Sequence, residues 1–239
     1  MLVKEAMVTE ALAFPFRRDN AAFVALGTAL CSLPPLVAWI LPALPYVGLI
    51  AWIVEGFVLC YTLIYFQSVL ESSTRGDERL PMWPDQVDFQ SLAADAFRVL
   101  LPLMISFLPL IVFTVAWVFA HGTWEMAAWA RWTSIGMFAA CFLYLPIALL
   151  IYSFYGEWAV LNVVAAARSI ARIGRPYFAV AALLLVLLGA HAFISSRLLL
   201  LPGVLAVPIA SFLFFYVMIA SMRAVGRLYA NHRERLGWE

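Results

Sequence analysis

The chain has 239 residues, 65% of them hydrophobic and 12% charged, with a formal net charge of +1 and a mean hydropathy of +0.95. A soluble domain carries about a quarter charged residues; this much apolar surface cannot be hidden in one small core, so lipid must be part of the solvent. The near-neutral charge excludes a nucleic-acid role, which needs a basic surface.

In chain order, Lys4, Glu5 and Glu10 precede the first long apolar run, which is not the pattern of a cleavable signal peptide. Residues 1–18 read instead as an interfacial element ending at Phe14-Pro15-Phe16-Arg17-Arg18. Apolar runs long enough to span a bilayer follow near 20–41, 46–69, 99–120, 133–155, 177–196 and 203–222. Pro34, Pro35 and Pro146 fall inside these spans, where neighbouring helices can satisfy the freed carbonyls. The expected fold is therefore all-α: one polytopic membrane domain over residues 1–239, with about six transmembrane helices and amphipathic interfacial helices on the cytoplasmic side. Those interfacial helices are expected near 88–98, with Asp88 as N-cap, near 157–175, and near 223–236.

Charge sets the orientation. With the N-terminus inside, the inside segments hold Lys4, Arg17, Arg18, Arg75, Arg79, Arg98, Arg168, Arg172, Arg175, Arg223, Arg227, Arg233 and Arg235, and the outside segments hold Arg131 and Arg197. That is 13 against 2, which accounts for all 15 basic residues. Positive charge stays on the cytoplasmic side, so both termini are expected there, in a cell inner membrane. Arg168, Arg172 and Arg175 recur at helical spacing opposite Ala159, Val163, Ala166, Ile170 and Ile173, the pattern of a helix lying on headgroups. Arg223, Arg227 and Trp83 are further candidates for headgroup or partner contact. A hairpin followed by an amphipathic segment recurs three times, without residue-level identity between the copies.

Glu55 is the conspicuous polar residue. It lies inside the second span, where an ionisable group is costly unless it is paired, protonated or facing a wet cavity. His191 in the fifth span lies at a similar depth and is its expected partner, in a structural lock or a functional pair. Glu55 is expected inside the bundle. Ser195, Ser196 and Arg197 follow His191, yet no GxSxG elbow supports a hydrolase. A catalytic residue is not expected. No zinc signature, haem pair or phosphate-binding glycine loop is present, so neither a metal nor a cofactor is expected. The acidic stretch Asp77, Glu78, Asp85 and Asp88 lacks the order of a calcium loop. Cys31, Cys60 and Cys141 stand singly in apolar runs and read as buried hydrophobes.

Three short motifs carry a resemblance: Phe14-Pro15-Phe16-Arg17, the loop Gly76-Asp77 followed by Leu80-Pro81-Met82-Trp83-Pro84-Asp85, and Arg235-Leu236-Gly237-Trp238. Together they resemble a family of bacterial and archaeal polytopic membrane proteins known only as a domain of unknown function. The resemblance covers nearly the whole chain. Some members of that family follow a zinc-ribbon segment, which is not seen here. The pattern is also distantly similar to the Yip1-type membrane-trafficking proteins, which are scaffolds. The resemblance implies six helices and no known reaction. Three functions follow as expectations. The first is a non-enzymatic scaffold, assembly factor or accessory subunit, with lipid and other membrane subunits or a second copy as partners. The second is a small-solute or lipid transporter using Glu55. The third, and weakest, is an intramembrane hydrolase.

Overall fold

A computed structural model describes residues 2–41, 45–84 and 89–238. Asp85 and Asp88, and with them the proposed N-cap, lie outside the described residues. The protein is an all-α polytopic membrane protein. Its long helices are α2 (Arg18–Ile40), α3 (Pro45–Arg75), α4 (Phe89–His121), α5 (Ala128–Tyr155), α7 (Arg175–Leu198) and α8 (Gly203–Ala230), with three shorter ones, α1 (Leu2–Ala13), α6 (Val163–Ile173) and α9 (Arg233–Leu236). The six long helices are each long and apolar enough to cross a membrane.

Two of the expected interfacial helices are not separate elements. Residues 89–98 are the first turns of α4, and 223–230 are the last turns of α8. No glycine or proline interrupts α4 before Pro102, and an Asp95–Arg98 pair at 3.0 Å supports its opening turns. The third expectation divides: Glu157–Leu161 is a 3-10 turn, and α6 follows it. Asn162 caps α6 by accepting from the Ala165 N–H at 3.0 Å. Gly174, at φ 69°, then reverses the chain into α7. On α6, Ala166, Ser169 and Ile173 are buried and Arg168 and Arg172 exposed, whereas Val163, expected on the buried face, is exposed.

α8 is the central helix, packing against α2, α3 and α7, while α4 and α5 form a hairpin laid on α3. Cross-contacts show which ends lie together. Tyr216 on α8 donates to the Leu12 carbonyl of α1 at 3.1 Å. Arg98 at the start of α4 meets Glu157 just after α5 at 3.1 Å. Arg172 of α6 donates to the Leu236 carbonyl at 2.8 Å. The start of α4, the end of α5, α6 and the tail therefore share the arginine-rich end.

Packing is uneven along the bundle. In α5 the run Cys141–Ile151 is largely buried, while Trp129, Trp132, Ile135 and Phe138 are exposed. In α3, Tyr65, Phe66, Val69 and Leu70 are at most 1% exposed, while Tyr46, Leu49, Ile50 and Trp52 are all above half. The tight half is the arginine-rich one. Lipid supplies no hydrophobic force between helices, so tight packing there needs small residues and polar contacts. Gly226 provides one such contact: a Cβ at this position would lie 2.9 Å from the Leu70 carbonyl oxygen and against the Ser73 side chain.

Gly226→Val should push α8 from the α3 backbone and cost about 1–3 kcal/mol. A Cβ at Gly189 would meet nothing within 4 Å, so Gly189→Ala should be neutral or slightly stabilising. Thermal midpoints in detergent, followed by loss of the monodisperse species, check both; equal midpoints for the two variants would mean α3 and α8 do not pack this closely.

Candidate functional site

Two places concentrate polar chemistry. The first is a cavity of about 360 Å³ between α2, α3, α7 and α8. Its polar lining comes from Cys31 on α2, Glu55 and Thr62 on α3, His191 and Ser195 on α7, and Ser211 on α8; Pro35, Val58, Leu59, Val207 and Phe214 are among the apolar walls. Cys31 and Thr62 face each other at 3.8 Å, and Thr62 donates to the Val58 carbonyl at 2.7 Å. The remaining groups are less satisfied. Nδ1 of His191 and Oγ of Ser195 are buried without a hydrogen-bond partner. Buried polar atoms in native proteins nearly always have a partner, counting water or ligand.

Glu55 and His191 thus line one cavity, as their depths imply, but no hydrogen bond or ion pair joins them among the described residues. The expectation that Glu55 is enclosed by the bundle is corrected: the residue is exposed, at an open side of the cavity. The reason is the loose packing of this half, where α3 residues 52–57 are all exposed. His191 is half-buried, its ring 6.1 Å from that of Phe214. Ser196 is exposed and donates to the Phe193 carbonyl at 2.6 Å, so its hydroxyl is engaged with its own helix.

The second place is the arginine-rich end. Arg223, assigned from sequence to headgroup or partner contact, is instead fully buried. Its guanidinium donates to the Asp77 carbonyl, pairs with Glu10 at 2.9 Å and lies over the Phe14 ring at 4.1 Å. The same Glu10 oxygen accepts from Arg227 Nε at 3.1 Å and Nη2 at 2.7 Å. Burial alone would raise the Glu10 carboxyl, but the hydrogen bonds and charges of Arg227 and Arg223 outweigh it and hold the group below its ordinary 4.5. Gly76, at φ 87°, makes the turn that brings the Asp77 carbonyl back to α8. Buried Asn20 fastens the adjoining turns, donating to the Phe14 carbonyl at 2.8 Å and accepting from the Leu80 N–H at 3.0 Å.

Trp83 is also inward. Its ring stacks on Tyr65 at 4.1 Å and on Tyr61 at 5.3 Å, and Phe215 lies 5.9 Å away. That geometry corrects its assignment to headgroup or partner contact, because these rings cover its faces; Met82 beside it is 76% exposed. Arg168 and Arg175 are exposed, while Arg172, also exposed, holds the tail. Arg227 is shared between Glu10 and a polar concavity of about 570 Å³ that Arg75, Arg233 and Arg235 also line. Among the described residues, no group of three or more His, Cys, Asp or Glu side chains could hold a metal.

Sequence reasoning missed Glu10, Asn20 and the burial of Arg223. One signal was available: Arg223 stands between Met222 and Ala224-Val225, apolar on both sides. Its partner lies 213 residues away in sequence, a separation that periodicity does not reach.

The fold and these sites define the class as a multi-pass α-helical membrane protein. No family model, curated protein or solved structure matches the chain.

Removing Glu10 leaves Arg223 buried and unpaired, so Glu10→Ala should cost about 3–5 kcal/mol. Acid should act on the same contact. Because the folded carboxyl titrates below its unfolded value, its stabilisation is present above 4.5 and is lost as pH falls through the lower folded value. Thermal midpoints between pH 7 and pH 3 should fall more steeply for wild type than for Glu10→Gln; parallel curves would show that Glu10 carries no such linkage.

Proposed function

We propose that this chain is a non-enzymatic membrane protein, a scaffold or accessory subunit of a larger membrane assembly, with both termini on the cytoplasmic side of an inner membrane. The carrying observation is the lock of Arg223 and Arg227 onto Glu10, which joins α1, the 76–84 loop and the end of α8 into one unit. Around it, Arg168, Arg175, Arg233 and Arg235 remain exposed. A rigid platform ringed by guanidinium groups suits docking to acidic partners and anionic headgroups. The split of basic residues supports the orientation.

Small-solute or lipid transport through the Glu55 cavity is the second reading, favoured by the intramembrane carboxylate beside unpartnered His191 and Ser195.

Three measurements test these readings. A periplasm-dependent reporter should be active when inserted at residues 122–127 and inactive at the C-terminus; the reverse pattern would overturn the orientation. Purification in mild detergent should recover a stoichiometric partner that Arg168→Glu with Arg175→Glu depletes. Repeated recovery of the chain alone, with no effect of anionic lipid on its stability, counts against a scaffold. Liposome flux abolished by Glu55→Gln would favour transport, and absence of flux across solute classes would end that reading.

A further inference from the structure

We propose that the cavity between α2, α3, α7 and α8 is a binding site for a hydrophobic organic cation, a protonated amine carried on an apolar chain or ring. The inference deepens the transport reading by naming a ligand class, and it is independent of the scaffold reading.

Among the described residues, Glu55 is the one charged residue lining this cavity, and no arginine or lysine lines it. It lies ten residues along α3 from Pro45, about 15 Å along the helix at 1.5 Å per residue, inside a segment long and apolar enough to cross a membrane. A carboxylate at that depth calls for a countercharge, and the protein offers none among the lining residues. His191 and Ser195 also line the cavity, but their Nδ1 and Oγ are buried away from the open space, so Glu55 is the charged group a ligand there would meet. Cys31 and Thr62 face each other.

An ammonium group brings the positive charge and the N–H donors that one exposed carboxylate calls for. The rest of the ligand must be apolar, because Pro35, Val58, Leu59, Val207 and Phe214 supply most of the remaining wall. An aromatic ring in that wall, Phe214, is a further group that a cation can favour. At about 360 Å³ the volume falls in the range of small-molecule sites, roughly 300–1,000 Å³. An organic anion would be repelled by Glu55, and a neutral alcohol would leave the carboxylate without a countercharge.

The test is direct binding, with the whole chain in nanodiscs and empty nanodiscs subtracted. Three probes of one shape are compared by calorimetry near pH 7: phenethylammonium, 2-phenylethanol and phenylacetate. Saturable 1:1 binding of phenethylammonium is expected, with the alcohol at least tenfold weaker and the carboxylate not detected. Glu55→Gln should weaken the amine at least tenfold and leave the alcohol unchanged, while Glu55→Asp should retain most of the amine affinity. Equal affinity for amine and alcohol, no saturable amine binding, or an unchanged Glu55→Gln variant would each overturn the proposal. The probe comparison on wild type stands even where a variant fails to fold. Amine binding without amine flux would leave this site intact and end the transport reading alone.

Discussion

Arg223 can be fully buried because a carboxylate, a carbonyl and an aromatic face converge on it. Glu10 supplies the charge, Asp77 the carbonyl and Phe14 the ring. An arginine in this position without them would be an uncompensated charge in a medium that solvates it poorly. Each of the three comes from a different segment, so the single requirement to satisfy Arg223 dictates where α1, the Phe14–Phe16 turn and the loop after α3 must lie. Asn20 extends the constraint by tying that turn to Leu80. Gly226 and Gly76 follow from the same geometry, one letting α3 approach α8 and the other turning the chain so that Asp77 reaches it.

The two halves of the bundle are held by different physics. In the arginine-rich half, ion pairing, side-chain-to-carbonyl bonds and stacked rings act together. Tyr65, Trp83 and Phe215 form one stack, and Phe142, Tyr177, Val180 and Leu228 belong to a neighbouring cluster of α5, α7 and α8. In the opposite half, helices present Trp, Leu, Ile and Phe outward, and lipid serves such side chains as well as another helix would. Close approaches there are few, Gly203 against Trp39 among them, and a cavity persists between four helices. The cavity is thus a consequence of where the polar contacts are, and two of its polar atoms, His191 Nδ1 and Ser195 Oγ, are left without partners.

α8 belongs to both regions. Phe215 enters the aromatic stack, and its neighbour Phe214 forms a wall of the cavity. One helix is therefore anchored firmly at its arginine-rich end while its other half borders a loosely packed space.

The amino-acid sequence by itself determined the solvent, the class and the spans. Twenty-residue apolar runs and a scarcity of charge admit few structures, because backbone groups in lipid must be satisfied within each helix. It also brought out Glu55 and His191, since an ionisable residue in an apolar run is visible without coordinates. Only the tertiary structure decided that 89–98 and 223–230 prolong membrane helices, that Trp83 stacks inward, that Glu55 opens onto a cavity, and that Arg223 is buried. Amphipathic spacing shows that a face is polar, but not whether water, headgroups or a distant carboxylate will meet it. Arg168 and Arg223 look alike in sequence; one stays exposed, and the other meets a glutamate more than two hundred residues away. Long-range pairing of that kind depends on how the helices pack, and packing is not written in the periodicity of any one of them.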